Sequence, residues 1–228
     1  MTDKRRSRRF EAVILDFGGV LTTPLQDAMA RFADEIGIEL QDLVRVALAA
    51  YAGQEDSLVT RFETGHISEE EFAREFAQRL TEVSGRSVSP EGLVRKVFSG
   101  LSLEEEMFDA VAKARAAGLK TALLSNSWGV ELYPRRRIGE VFDVTVISGE
   151  VGLRKPDPEI FQFTVDKLGV EASSCVFVDD HPGHLQAALK IGMTTVLHKS
   201  PRETLAELEK LLSLQLIDTR HGDCPNGS

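Results

Sequence analysis

The stretch VILDFGGVLTTP, residues 13–24, runs three apolar residues into Asp16 and then turns through Phe17, Gly18 and Gly19 to Val20. A carboxylate that ends an apolar strand and faces a glycine-bearing turn is placed for chemistry. Comparable positions, at strand ends or just beyond, are held by Ser125 and Asn126 in ALLSNS, by Lys155 in GLRKPDP, and by Asp179 and Asp180 in VFVDD. In an open parallel sheet, ligands bind beyond the carboxyl ends of the strands, where the winding direction reverses. Three carboxylates, a hydroxyl, an amide and an ammonium are therefore expected in one crevice. Carboxylates so close repel one another, and a cation is the usual remedy. Carboxylate and carbonyl oxygens suit a hard ion, and Mg²⁺ takes one or two carboxylates and fills its shell with water and phosphate. Lys155 and the Ser125 hydroxyl add the donors a transferring phosphoryl group needs. Asp16 is then free to act as nucleophile and form an aspartyl phosphate.

The elements that must position these groups are legible as apolar runs of strand length: AVILDF (12–17), KTALLSN (120–126), VTVIS (144–148), CVFVDD (175–180) and TTVLH (194–198). They show little polar alternation, as strands covered on both faces do. Helical patterns lie between them. SLEEEMFDAVAKARAAG opens at Ser102, has acids early and bases late, and stops at Gly118. PDPEIFQFTVDKLG puts Ile160, Phe161, Val165 and Leu168 on one stripe and stops at Gly169. Strand and helix alternate, which predicts an α/β fold with a doubly wound, Rossmann-like parallel sheet.

From about Pro24 to Gly100 that alternation breaks. LQDAMARFADEIG, LQDLVRVALAAY and SEEEFAREFAQRL are amphipathic helical patterns with no strand between them, and Ser68 with Glu71 makes a capping box for the third. Gly53, Gly65 and Gly85 mark loops. The expected organisation is a flexible basic arm at 1–9, a core formed by 10–23 and 101–217, an inserted all-helical segment at 24–100, and a disordered tail at 218–228.

The 228 residues are 42% apolar, enough to bury one large core and an insertion. The net charge of −9 argues against nucleic acid as the partner of the folded body. KRRSRR, Lys4 to Arg9, reads as a solvated arm, with a phosphate or nucleic-acid patch as the alternative. The longest apolar runs fall short of the roughly 18–20 residues of a membrane span, and no signal-peptide pattern opens the chain. Cys175 and Cys224, the two cysteines, make no disulfide framework. A cytoplasmic protein with no membrane partner, monomeric or homodimeric, is the expectation.

This constellation, in this order, resembles the haloacid dehalogenase superfamily. VILDFGGVLT is similar to its first motif, Ser125 in ALLSNS to its second, Lys155 in GLRKPDP to its third, and the acid pair of VFVDD to its fourth. The helical insertion is similar to the type C1 cap. The resemblance implies a magnesium-dependent phosphatase acting on a small phosphorylated substrate. Asp16 would be the nucleophile, Asp180 a direct metal ligand with Asp179 the nearby second carboxylate, and the main-chain carbonyl of Gly18 a further ligand. Ser125, Asn126 and Lys155 would hold the phosphate. One position departs from the pattern: phosphatases of the family commonly carry a second aspartate, an acid and base for the leaving group, where this chain has Gly18. Branches with DxGG or DxGN there resemble the phosphatase-like domains fused to epoxide hydrolases or acyl-CoA dehydrogenases.

Two other functions stay open at this point. In a dehalogenase Asp16 would displace a halide, which needs no proton and so no acid at position 18, but an unpaired Asp179 and Asp180 beside it would be costly. The other is a module that keeps the fold for binding and has lost turnover. Among neighbouring residues, His181 reads as a replacement acid or a loop residue, and His184 as a loop buttress. Arg154 reads as a substrate contact or a solvated side chain, Arg135 to Arg137 as an exposed helix end, and Trp128 and Tyr133 as crevice walls or packing against the cap.

Overall fold

The protein is described here from a computed structural model, covering residues 9–51 and 57–217. The basic arm up to residue 8, Gly53, Cys224 and the tail from 218 lie outside the described residues.

Five strands, β1 (Ala12–Leu15), β2 (Lys120–Ser125), β3 (Val144–Ile147), β4 (Cys175–Asp179) and β5 (Thr194–Leu197), form one parallel sheet in the order β3-β2-β1-β4-β5. The five predicted strands are all present. The chain winds outward from β1 to β3 and then returns to the other side of β1, so the direction reverses between β1 and β4. There Asp16 follows β1 and Asp179 ends β4, with the Asp16 N–H donating to the Val178 carbonyl at 2.9 Å.

Successive side chains of a strand point to opposite faces, so each apolar run feeds two cores. Val13, Leu15, Leu123, Val176 and Val178 pack on one face against α6 (Glu105–Ala116), α7 (Arg135–Val141) and α11 (Pro201–Leu212). Ala12, Ile14, Ala122, Leu124 and Phe177 pack on the other against α9 (Pro158–Leu168) and α10 (Pro182–Lys190). This double coverage is why the strands read as continuous apolar runs. Ile160, Phe161, Val165 and Leu168 are all buried on α9, as their spacing predicts, and Gly169 caps it in the left-handed conformation.

Between β1 and β2 the chain forms α1 (Leu25–Ile36), α2 (Leu40–Tyr51), α3 (Leu58–Glu63), α4 (Glu69–Ser84) and α5 (Leu93–Phe98). These helices bury their own cluster, with Phe72 stacked between Phe62 at 4.3 Å and Phe76 at 5.3 Å. Two of the five, α3 and α5, are six residues long and too short to show a periodicity in the sequence. The capping box at the start of α4 is complete: Ser68 Oγ accepts from the Glu71 N–H at 3.1 Å, and Glu71 Oε2 accepts from the Ser68 N–H at 2.9 Å. Ser68→Ala should therefore cost about 1 kcal/mol and lower Tm by roughly 2–4 °C, checked by a thermal melt.

Ser102 is not a helix cap. The helix begins at Glu105, and Ser102 instead exchanges hydrogen bonds with Thr23, its N–H to Thr23 Oγ1 at 3.1 Å and its carbonyl accepting the Thr23 N–H at 2.9 Å. With the antiparallel bridge of Thr22 to Leu103, this pairs the strand leaving the sheet with the one returning to it. Backbone pairing across the neck of the helical segment outcompetes the local cap.

Candidate active site

The carboxyl ends of β1, β2 and β4 meet at Lys155. Its side chain is fully buried, and its ammonium lies 2.8 Å from Asp16 Oδ1 and 2.6 Å from Asp179 Oδ2. Asp16 Oδ1 also accepts the Phe17 N–H at 2.7 Å. Both contacts fall on the same oxygen, which leaves the other for attack on a substrate.

One ammonium cannot neutralise two carboxylates and a third nearby. Burial, then the charges of Asp179 and Asp180, outweigh Lys155 and push Asp16 up to about 7. Asp179 goes the other way. Burial would raise it, but Lys155 and His184 more than reverse this and hold it well below the usual carboxylate range. Lys155 is held above its ordinary value: burial opposes its charge and the two carboxylates overcome that. Asp180, raised by burial and by Asp179, stands against the turn after β1. With all four groups ionised the cluster carries two excess negative charges, which is the charge a divalent cation supplies.

The donor set fits such an ion. Asp16, Asp179 and His184 each bring one ligand atom to within 4.8 Å of the others, and Asp180 and the Gly18 carbonyl belong to the same loops. Oxygen donors dominate, as a small hard ion requires. His184 serves Asp179 directly, its Nδ1 lying 3.1 Å from both carboxylate oxygens, which agrees with its reading as a buttress. His181 caps α10, its Nδ1 accepting the Gly183 N–H at 3.2 Å while its own N–H donates to Asp179 Oδ1 at 2.7 Å.

Of the two glycines after Asp16, Gly19 is the constrained one. It has φ +75°, and a Cβ there would stand 2.5 Å from Asp180 Oδ2. A Cβ on Gly18 would meet nothing within 4 Å, and its φ lies outside the left-handed region. The turn therefore needs Gly19 for the approach of Asp180 and does not need a glycine at 18.

Ser125 ends β2 with its Oγ 2.8 Å from the Tyr133 hydroxyl. Burial, ahead of that hydrogen bond, pushes the Tyr133 phenol up, so it stays neutral beside Ser125. Asn126 is spent on the main chain of Lys155: its Oδ1 accepts the Lys155 N–H at 2.8 Å and its Nδ2 donates to the Lys155 carbonyl at 2.9 Å. A side chain bound at both ends positions the lysine.

Asn126 also reaches Glu63 Oε2, at 3.3 Å, and Glu63 was not legible as a site residue. It ends α3, is 1% exposed, and pairs with Arg154 at 2.8 Å. Arg154 donates further to Thr60 Oγ1 at 2.9 Å, so it ties the lysine-bearing loop to the helical segment instead of reaching solvent. No local pattern distinguishes Glu63 from a surface acid, because what buries it is a loop some ninety residues away. Arg135 and Arg136 are exposed at the start of α7 as expected, paired with Glu150 and Glu140, whereas Arg137 is less exposed and pairs with Glu105 and Asp109.

Residues 10–192 match the haloacid dehalogenase-like hydrolase family. The chain is 34% identical over 92% of its length to acyl-CoA dehydrogenase family member 10 of Mus musculus, and 29% identical over 91% to bifunctional epoxide hydrolase 2 of Sus scrofa. It spans only 20% and 40% of those two proteins. A solved haloacid dehalogenase family enzyme of Bacteroides thetaiotaomicron, in complex with magnesium and inorganic phosphate, superposes with a TM-score of 0.62 at 25% identity, covering 83% of this chain and 94% of that one. Among the described residues no helix is long and apolar enough to cross a membrane. With a parallel sheet wound on both faces, an acid after its first strand and a buried lysine bridging to a second acid, this chain belongs to the haloacid dehalogenase-like hydrolases and is a hydrolase of that fold.

Proposed function

We propose that this protein is a Mg²⁺-dependent phosphoric monoester hydrolase working through an aspartyl phosphate at Asp16. The observation that carries the reading is the Lys155 ammonium held between Asp16 and Asp179 with no exposure to solvent. A lone pair of Asp16 attacks phosphorus and the bond to the leaving oxygen breaks, its electrons departing with that oxygen. Water then attacks the same phosphorus, releasing inorganic phosphate and regenerating the carboxylate. Lys155 orients Asp16 and offsets the charge of the phosphoryl oxygens, the Ser125 hydroxyl supplies a donor beside them, and Asn126 keeps Lys155 in place. Magnesium bound by Asp16, Asp179, Asp180 and the Gly18 carbonyl would supply the remaining neutralising charge. The net charge of −9 favours a small-molecule substrate over nucleic acid.

The test is phosphate release from a panel of phosphate monoesters with Mg²⁺ and with excess chelator. Turnover is expected in the first and its loss in the second. Halide release from a 2-haloacid that continues in chelator would overturn the reading in favour of a dehalogenase. Asp180→Ala should weaken Mg²⁺ binding at least about tenfold and lower turnover at limiting metal, read by calorimetric titration beside the kinetics.

A further inference from the structure

Inside the helical segment is a cavity of about 130 Å³. Its walls come from α1, α2, α4 and α5, and among its lining side chains only Trp128 carries an N–H or O–H group. A second space of about 50 Å³ lies beside the nucleophile, bounded by Phe17, Gly18, Ser125, Asn126 and Tyr133. The two share Phe98 and Trp128 as a common wall. Trp128 comes from the loop after β2, yet it packs into the helical cluster, edge-on to Phe72 at 6.0 Å and tilted against Phe98 at 5.7 Å. The apolar cavity therefore adjoins the space beside the nucleophile at Phe98 and Trp128.

Resting on the phosphatase reading above, we infer that this cavity receives the leaving group of the substrate, and that this group is apolar and about the size of one aromatic ring. A dry cavity of about 150 Å³ lined by such side chains takes up benzene, so the volume fits a ring or a short branched alkyl group and excludes a long chain. The lining excludes sugars and nucleosides, because each hydroxyl buried there without a partner costs roughly tenfold or more in affinity. Gly18 points to the same class. It offers no carboxyl acid to the departing oxygen, so the leaving group must depart without one. A phenol leaves as its anion more readily than an alcohol does, so an aryl phosphate meets both conditions.

Trp128 is the single tryptophan of the chain, so its emission, excited beyond the tyrosine band, reports on the shared wall. In full-length protein, toluene should change that emission saturably, and 4-methylphenyl phosphate should be cleaved with kcat/KM at least tenfold above 4-(hydroxymethyl)phenyl phosphate. The two have nearly equal leaving groups and differ by one hydroxyl. Ala47→Phe, which fills the cavity from α2, should collapse that ratio towards one and abolish the toluene response, with a thermal melt verifying the fold. The inference is overturned if toluene leaves Trp128 unaffected in the wild-type protein, a result that needs no variant, or if the two esters are cleaved equally well. A protein that binds toluene at Trp128 but releases phosphate from no ester in Mg²⁺ overturns the phosphatase reading, and supports the cavity as a site for apolar ring-sized ligands.

Discussion

Asp16→Asn is expected to reduce phosphate release to background while leaving the fold intact. The substitution keeps the shape of the side chain and an acceptor for the Lys155 ammonium and the Phe17 N–H, but the amide is no nucleophile towards phosphorus. The same change should stabilise the metal-free protein. Burial holds the Asp16 carboxyl at about 7 in the folded state against 3.8 for the free group. The folded state thus binds that proton more tightly than the unfolded one, and its advantage is full below about pH 3.8 and lost as the pH rises through 7. Asparagine has no proton to lose, so in chelator the variant's Tm should exceed that of the wild type at pH 8, and the gap should shrink towards pH 5. An inactive variant with an equal or higher Tm separates loss of the nucleophile from loss of structure. Turnover comparable to the wild type would overturn the aspartyl-phosphate mechanism.

The groups that meet at Lys155 were legible because a parallel sheet delivers them mechanically. Asp16, Ser125 and Asp179 sit at or just after the carboxyl ends of adjacent strands β1, β2 and β4, and pairing puts those ends in one row. Knowing the strands is then enough to know the neighbours. Residues held by non-local contacts were not legible in this way. Asn126 was open to a phosphate-binding role, and only the fold shows both ends of its amide turned to the Lys155 main chain. Glu63, at the end of a six-residue helix, reaches Asn126 and Arg154 through packing that no spacing encodes. Ser102 had the chemistry of a helix cap but met Thr23, which lies 79 residues away. In each case a long-range partner decided the use, and the local sequence does not show that partner.

Gly18→Asp should raise the rate on simple alkyl phosphates by up to roughly 10²–10⁴-fold while changing aryl phosphates little, because a positioned general acid contributes about that much when the leaving group needs a proton. The wild-type protein, lacking that acid, should accordingly favour activated esters, with a steep dependence of rate on the acidity of the leaving alcohol. The variant is structurally admissible. Position 18 has open space where a Cβ would go and no positive φ, unlike Gly19, whose φ is +75° and whose place for a Cβ is taken by Asp180. The turn thus does not require a glycine at 18, since the backbone there would accept a side chain. His181 is the nearest alternative proton source in sequence to the acid pair, and because its Nδ1 accepts the Gly183 N–H at the start of α10, Nε2 is the ring atom that would donate. The measurement is a plot of log kcat/KM against leaving-group pKa for both proteins, with a melting curve and a Mg²⁺ titration on each. A flatter slope in the variant, produced by gains at the alkyl end, is the expected result. A wild-type protein that cleaves alkyl and aryl phosphates at equal rates would mean that another group already donates the proton. A folded, metal-binding variant with no gain would mean that an acid at this position cannot reach the leaving oxygen.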